Sequence, residues 1–226
     1  MLVSKSQEVA SFESFRNHEY FENMTDDEFE TLANAALLRK YHPKHTLFDV
    51  GDPMTRAFLL IDGVIRFESY GQDGESFYYD YINGTDVFPS EGLCWQETYN
   101  FSAQAMTTVY VYSFPTALLE NIIFKNQNQA LYTMKVLSRI IKDYETRIQM
   151  MLSRSTSGRV ESNLLYLKER IGIRAEDGVI TIPYPITYKE IAENSGTTAE
   201  TARQIIGRMI ACQELDYTNK KLKFLK

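Results

Sequence analysis

The stretch 186–212 constrains the fold more than any other part of the chain, because it predicts two helices joined by one tight turn. Thr187 can cap the first helix, Gly196 can supply the turn, and Thr198 can cap the second helix. The second helix has apolar residues at the i, i+3, i+4, i+7 spacing of a single buried face: Ala202, Ile205, Ile206 and Met209. The stretch therefore predicts a helix–turn–helix whose second helix keeps one face free.

The free face of the second helix is polar near its start, where it places Ala199, Glu200, Arg203 and Gln204. Residues at this position of a helix in the major groove contact base edges, where Arg suits guanine, Glu suits cytosine and Gln suits adenine. Hydroxyls at the helix starts, and a lysine on the first helix, suit backbone phosphates: Thr187, Lys189, Thr198 and Thr201. The pattern predicts a DNA-binding surface, and the alternative is a helical hairpin whose polar face is only solvated.

The segments around this motif predict a winged helix. Residues 178–182 have the pattern of a strand, and residues 215–224 that of a terminal hairpin that carries Lys220, Lys221 and Lys223. Residues 153–226 contain 12 basic and 9 acidic residues, whereas residues 1–152 contain 12 basic and 21 acidic ones, so the net charge of −6 arises in the first part. This balance permits contact with nucleic acid without demonstrating it.

A heptad seam is predicted between residues 115 and 152, where glycine and further prolines are absent. Its apolar residues alternate at spacings of three and four: Met134, Leu137, Ile141, Tyr144, Ile148 and Met151. Because the seam continues for several turns, it favours a partner helix and hence a parallel homodimer. The alternative is a single amphipathic helix that lies on the preceding β-region.

Short β-rich runs fill residues 47–114, separated by turn signals at Asp62-Gly63, Gly71–Gly74 and Asn83-Gly84. They predict an antiparallel roll or barrel, preceded by a short helix that opens with a capping box at Thr25 and Glu28. The predicted fold class is α+β. Its domains are a sensor β-roll with flanking short helices at 1–114, a dimerisation helix at 115–152 and a winged helix–turn–helix at 153–226, which starts with a polar hinge at 153–158.

The order of these elements resembles that of the Crp/Fnr family of bacterial regulators over nearly the whole chain. The resemblance rests on five segments: Gly51-Asp52, Leu60–Ile65, Gly84–Leu93, Ile186–Ala192 and Thr198–Arg203. It implies a jelly roll like the cyclic-nucleotide-binding domain, RNA polymerase as a partner, and a homodimer on a pseudo-palindromic promoter site with half-sites about one helical turn apart. Glu200 matches the family's base-reading glutamate. Gln204 stands where the family usually has arginine and an arginine stands at 203, so we expect a variant operator.

The cassette that holds cyclic AMP in some family members is a Gly-Glu pair followed later by Arg-Ser, and the corresponding residues here are Pro89-Ser90 and Phe101-Ser102. Because a cyclic phosphate requires a buried cation and backbone donors, Phe101 and Pro89 argue against a cyclic nucleotide. Another small organic effector is one expectation, with a candidate pocket at Phe88, Ser90, Glu91, Phe101 and Ser102. The alternatives are that these aromatic residues are simply core, and that the protein binds DNA constitutively or is controlled by a partner protein.

Cofactors and catalysis are not expected. Cys94 and Cys212 are the only cysteines, whereas family members with iron–sulfur clusters carry an N-terminal set; a redox switch at Cys94 is a minor alternative. The three histidines, His18, His42 and His45, precede the roll without a matching nucleophile or metal-ligand spacing, which argues against an enzyme. No apolar run suits a signal peptide or a membrane helix, so we expect a cytoplasmic protein with no membrane contact. The alternative function is a ligand-binding or protein-interaction module whose winged helix does not read DNA.

Overall fold

The computed structural model describes residues 15–70, 76–84 and 86–225, which form two compact units. One unit contains the described residues up to Ile65 together with Asn83–Lys142, and the other contains Arg66–Ile82 together with the residues from Asp143 onward. The second boundary lies inside a helix, whereas the sequence placed the start of the C-terminal domain at residue 153. Residues 66–82 belong with the C-terminal helices because buried side chains of this segment are hydrogen-bonded to them.

The helices within the described residues include α1 (Asp26–Asn34), α2 (Thr116–Lys125), α3 (Gln127–Met151), α4 (Thr156–Ile171), α5 (Tyr188–Glu193) and α6 (Ala199–Ala211). The predicted capping box opens α1: Glu28 N donates to Thr25 Oγ1 at 3.3 Å, and Thr25 N donates to Glu28 Oε2 at 2.9 Å. Both orphan donors at this helix start are thereby satisfied, and the prediction is confirmed.

The strands of the roll are β1 (Leu37–Tyr41), β2 (Thr46–Phe48), β3 (Arg56–Asp62), β4 (Val64–Tyr70), β5 (Ser76–Asn83), β6 (Val87–Phe88), β7 (Ser102–Ala105) and β8 (Val109–Pro115). They form two four-stranded sheets with the orders β1–β8–β3–β6 and β2–β7–β4–β5. The pairs β1–β8, β3–β8, β3–β6 and β2–β7 are antiparallel. The predicted antiparallel roll is therefore confirmed.

Two of the predicted turns contain glycines in the left-handed region. Gly63 has a φ of +102°, and a Cβ there would lie 2.4 Å from the carbonyl oxygen of Thr108, so the turn between β3 and β4 requires glycine. Gly84 has a φ of +85° after β5. The turn predicted at Gly71–Gly74 lies outside the described residues.

The stretch predicted as one dimerisation helix contains two helices. The backbone of Asn126, between α2 and α3, is extended with φ −106° and ψ +104°. Its side chain stabilises the break, because Oδ1 accepts from Gln129 N at 3.1 Å and Nδ2 donates to Asn23 O and Glu28 Oε2, both at 2.8 Å. A capping asparagine thus starts α3 without the glycine or proline that usually marks such a break.

The second unit contains α4, α5 and α6 with a small sheet of order β11–β12–β10–β9. Its strands are β9 (Ile173–Arg174), β10 (Ile180–Thr181), β11 (Leu215–Thr218) and β12 (Lys221–Phe224). The terminal hairpin is present as predicted, with Leu215 opposite Phe224, and the predicted strand at 178–182 is reduced to β10. The polar hinge is shorter than predicted, because Ser155 Oγ accepts from Gly158 N at 3.2 Å and α4 begins at Thr156.

Among the described residues, no helix combines the length and the apolar character that crossing a membrane requires.

Candidate nucleic-acid interface

The helix pair α5–α6 has the local geometry that its sequence predicts. Thr187 Oγ1 accepts from Glu190 N at 3.1 Å, and Thr198 Oγ1 accepts from Thr201 N at 3.2 Å, so both predicted caps are present. Gly196 lies in the turn between the helices with a φ of +56°. These interactions fix where each helix starts, and they leave Ala199 and Glu200 at the start of α6 exposed.

The two faces of α6 differ as the apolar spacing predicts. Ala202, Ile205 and Ile206 are buried and Met209 is half-buried, whereas the predicted base-reading residues Ala199, Glu200, Arg203 and Gln204 are exposed. Burial of the apolar face supplies most of the stability of such a short helix. The polar side chains are therefore free of any packing role.

Three of the base-reading candidates form one cluster. Gln204 Nε2 donates to Glu200 Oε1 at 3.3 Å, and Arg203 Nη1 lies 4.0 Å from Glu200 Oε2. The Glu200 and Arg203 side chains are about two-thirds exposed, at 67% and 68%, so water weakens this ion pair strongly. The cluster therefore presents one carboxylate, one guanidinium and one amide that can exchange these contacts for others.

The phosphate candidates lie at the starts of α5 and α6. The hydroxyls of Thr198 and Thr201 are 2.9 Å apart. Lys189 Nζ lies 3.5 Å from Glu193 Oε1, and the lysine side chain is 76% exposed. Since the start of a helix carries the positive end of its dipole, the arrangement favours an anion there.

The terminal hairpin is tied to the residue that precedes Thr187. Tyr217 Oη donates to the Ile186 carbonyl at 2.7 Å, and Ile186 N donates to the Lys220 carbonyl at 2.9 Å. Lys223 Nζ lies 3.6 Å from Asp216 Oδ2 within the hairpin. The side chains of Lys220 and Lys221 are exposed, so the hairpin presents basic groups from a fixed backbone.

A groove of about 620 Å³ lies beside α6. The start of α4 contributes Thr156 and Ser157, and α6 contributes Thr201, Gln204 and Arg208. Arg208 Nη2 donates to Ser157 Oγ at 3.1 Å. The sequence predictions assigned no residue of α4 to the DNA-binding surface, so Thr156 and Ser157 extend the polar surface beyond the predicted residues.

Arg159 is a positioning residue that the sequence predictions missed. Its guanidinium donates to three backbone carbonyls, those of Ser195 at 3.0 Å, Ser153 at 2.9 Å and Gly196 at 3.2 Å. The arginine therefore ties the start of α4 to the turn between α5 and α6. A positive side chain in the first turn of a helix opposes the helix dipole. This unfavourable position is the one sequence signal that could have identified Arg159.

Glu190 of α5 is a second missed residue, buried at 4% exposure. Its Oε1 accepts from Tyr81 Oη at 2.8 Å and from Tyr184 Oη at 2.7 Å, and Arg66 Nη1 lies 3.1 Å away. Arg66 also donates to Glu68 Oε1 at 3.0 Å through Nε. A buried carboxylate needs such donors, but Arg66 and Tyr81 are more than a hundred positions away in the sequence, where no local pattern reveals them.

The protonation states of this cluster follow from burial and charge. Burial raises the pKa of Tyr81 well above its usual value, and the Glu190 carboxylate adds to the rise. Burial, followed by Tyr81 and Glu190, raises the pKa of Tyr184 in the same way. Burial alone would lower the pKa of Arg66, but Glu190 and Glu68 outweigh it and raise this pKa. The tyrosines thus remain donors, and Arg66 stays charged.

The predicted dimer seam lies along α3 and is largely uncovered in the single chain. Met134, Ile141 and Ile148 are 62%, 59% and 60% exposed, Met151 is exposed, and Leu137 and Tyr144 are half-buried. Exposed apolar residues that share one stripe of a helix indicate a site that packs against a second apolar surface.

The candidate effector residues lie around an aromatic cluster of the roll. The Phe88 ring lies 5.3 Å from the Phe58 ring, and the Phe101 ring 5.6 Å from the Phe48 ring. Ser90 Oγ donates to the Val87 carbonyl at 2.8 Å. The Ser102 hydroxyl accepts from Val50 N at 3.0 Å, and Ser90 N donates to Glu91 Oε2 at 3.1 Å. Their polar atoms already have partners in the chain, which fits a role in the core as well as at the edge of a pocket.

The two cysteines are both exposed as free thiols. Burial and the nearby Glu120 carboxylate raise the pKa of Cys94, which lowers its thiolate fraction and its reactivity. Within residues 15–70, 76–84 and 86–225, no group of three His, Cys, Asp or Glu side chains is arranged to hold a metal ion.

Comparisons with known proteins give a consistent assignment. Residues 38–126 match the cyclic nucleotide-binding domain family. The chain is 27% identical over 172 residues to the global nitrogen regulator of Synechococcus elongatus, covering 75% of this chain and 77% of the relative. It is 25% identical over 182 residues to the CRP-like cAMP-activated global transcriptional regulator of Mycobacterium tuberculosis, covering 78% and 81%. The solved structure of FixK2 from Bradyrhizobium japonicum superposes with a TM-score of 0.71 at 17% identity, covering 84% of this chain and 92% of that one. Over three quarters or more of its length the chain is therefore similar to transcription regulators of the Crp/Fnr type, its roll matches their cyclic nucleotide-binding domain, and it shares the fold of FixK2.

Proposed function

We propose that this regulator binds double-stranded DNA sequence-specifically as a homodimer, at a pseudo-palindromic promoter site. The observation that carries the proposal is the exposed face at the start of α6, where Glu200, Arg203 and Gln204 project from a helix whose opposite face is buried. A helix in the major groove contacts bases with these positions. Their carboxylate, guanidinium and amide can discriminate cytosine, guanine and adenine; Ala199 adds an apolar contact for a thymine methyl group.

Phosphate contacts set the register of this helix on the duplex. We assign them to Thr187, Lys189, Thr198 and Thr201, which lie at the starts of α5 and α6. The assignment is supported by the exposed lysine and by the helix dipoles, which favour an anion at both starts.

The occupant of the α3 seam is a second copy of the same chain. A two-fold dimer places two α6 helices in successive major grooves about one helical turn apart. The seam supports this arrangement because its apolar residues follow the alternating spacing of a parallel coiled coil and remain uncovered. Met134, Leu137, Ile141, Tyr144, Ile148 and Met151 are its interface residues.

We further propose that a small molecule other than cyclic AMP controls DNA binding. Contact of the bound protein with RNA polymerase then changes transcription. The candidate site is the region of Phe88, Ser90, Glu91, Phe101 and Ser102. Phe101 is buried against the Phe48 ring and leaves no cation at the position where a cyclic phosphate requires one.

Selection of binding sites from random duplex DNA tests the proposal. The purified protein is incubated at ~150 mM salt, where weak nonspecific binding is suppressed, and the enriched sequences are read. We expect an inverted repeat with half-sites about 10 base pairs apart. The matched control is the double variant Arg203→Ala, Gln204→Ala, which should lose the enriched motif. No enrichment with wild type, with and without cell metabolite extract, would overturn the proposal in favour of an interaction module.

A further inference from the structure

Two residues near the end of β5 contact three helices of the second unit. Tyr81 Oη donates to Glu190 of α5, and its carbonyl accepts from Arg170 Nε of α4 at 2.7 Å. Asp80 Oδ1 accepts from Tyr166 Oη of α4 and lies 3.9 Å from Arg147 Nη1 of α3. The segment 66–82 thus contacts α3 and α4 as well as α5.

The contact to α5 is the one closest in sequence to the DNA-binding surface. Tyr81 Oη accepts from Asn194 Nδ2 at 3.0 Å while it donates to Glu190, so both the first turn of α5 and the residue after the helix are held. Helix α5 is only six residues long, and a helix of this length has little stability of its own. Its position is therefore set by tertiary contacts.

The buried charges of this contact favour a single position of α5. Arg66, Glu68 and Glu190 are each less than 10% exposed, and Arg66 is shared between the two carboxylates. Displacing α5 would leave a buried carboxylate with fewer donors, which is strongly unfavourable. The cluster therefore favours one placement of α5, and with it one placement of the turn and of α6.

From these contacts we propose that Glu190 is a positioning residue for DNA binding, through which strands β4 and β5 hold α5 and α6 in the arrangement that reads bases. The inference rests on the proposed function above and concerns a residue that does not itself face DNA. Specific binding requires Glu200, Arg203 and Gln204 to meet base edges in register, whereas nonspecific binding requires mainly positive charge near phosphates. Loss of the cluster therefore weakens specific binding selectively.

The test compares affinity for the selected site with affinity for an unrelated duplex of equal length, at one salt concentration. Glu190→Gln keeps the shape of the side chain but removes its charge, and Tyr81→Phe removes a single hydroxyl. Glu193→Gln is the first control, because it lies on the same helix and contacts Lys189 instead of the cluster. Tyr99→Phe is the second, because it removes a hydroxyl bonded to the Arg56 carbonyl at 2.7 Å in the other unit.

We expect each cluster variant to lower the ratio of specific to nonspecific affinity by about tenfold, the scale of one lost base contact, while the controls change it by less than twofold. Circular dichroism identifies variants that fail to fold. If Glu190→Gln fails to fold, the test relies on Tyr81→Phe. An unchanged ratio in folded variants overturns the proposal, as does an equal loss of both affinities, which is the result of general destabilisation.

A wild-type protein that selects no DNA sequence refutes the proposed function instead. Positioning is then judged by hydrogen exchange: both cluster variants should accelerate exchange of the α5 and α6 amides while the controls do not. Unaltered exchange in the cluster variants would refute the positioning role.

Discussion

Glu200 already has two partners on its own helix, Arg203 and Gln204, and in the proposed complex DNA replaces these contacts with base edges. Since an exposed pair of this kind contributes little, the exchange favours DNA. Arg203→Ala and Gln204→Ala should each weaken binding to the selected site by ~1–3 kcal/mol and relax the choice of one base pair. Fluorescence anisotropy with the selected duplex and single-base variants of it measures both effects.

The matched control for these base-reading residues is Lys189→Ala, because this lysine is assigned to phosphate. It should weaken binding to all duplexes alike and reduce the salt dependence of affinity. If Lys189→Ala changes base preference as much as Arg203→Ala does, the division between base and phosphate contacts is wrong.

Individual residues differ in how far the sequence reveals them. The caps Thr187 and Thr198 and the turn glycine Gly196 act on backbone atoms within a few positions, so a local pattern is sufficient to predict them. The partners of Glu190 come from β4 and β5, and no local rule connects position 66 or 81 with position 190. The three backbone contacts of Arg159 likewise depend on tertiary packing.

Among the elements, α3 allows a direct test of dimerisation. Ile141 and Ile148 are more than half exposed in the single chain, so a polar residue there should leave the fold of one chain intact. Ile141→Asp or Ile148→Asp should weaken dimerisation by roughly 3 kcal/mol or more per dimer, about 100-fold, because each chain loses the burial of one isoleucine. Sedimentation over a range of protein concentrations measures the change.

The control for the seam is Gln149→Asp, an exposed position of α3 outside the apolar stripe. It introduces the same charge on the same helix and should leave the monomer–dimer equilibrium within a few fold of wild type. Equal sedimentation of Ile148→Asp and wild type would show that α3 is not the interface.

The sequence did not predict where some of the helices and strands begin and end. The apolar spacing of α3 predicted its stripe, but the break at Asn126 depends on hydrogen bonds to Asn23 and Glu28 of a distant segment. The strand before the helix pair is only two residues long. Periodicity therefore located the elements and their faces, while tertiary hydrogen bonds determined their ends.

At the scale of the whole molecule, alkaline pH should destabilise the fold through its buried tyrosines. The pKa of Tyr81 and that of Tyr184 are raised well above the usual value by burial, with the neighbouring Glu190 carboxylate adding to both. Burial also raises the pKa of Tyr20 to about 12. Above pH ~10 the unfolded chain releases these protons while the folded chain retains them.

Because the unfolded state then binds fewer protons than the folded state, the free energy of unfolding falls as pH rises, by ~1.4 kcal/mol per pH unit for each such tyrosine. Tyr81→Phe should therefore be less stable than wild type at pH 8, where its hydroxyl bonds are missed, yet lose stability less steeply above pH 10. Urea unfolding followed by circular dichroism from pH 8 to pH 11 measures both slopes. Parallel slopes would mean that Tyr81 ionises as readily in the folded chain as in the unfolded one, and the buried cluster around Glu190 would then be more open to water than its contacts indicate.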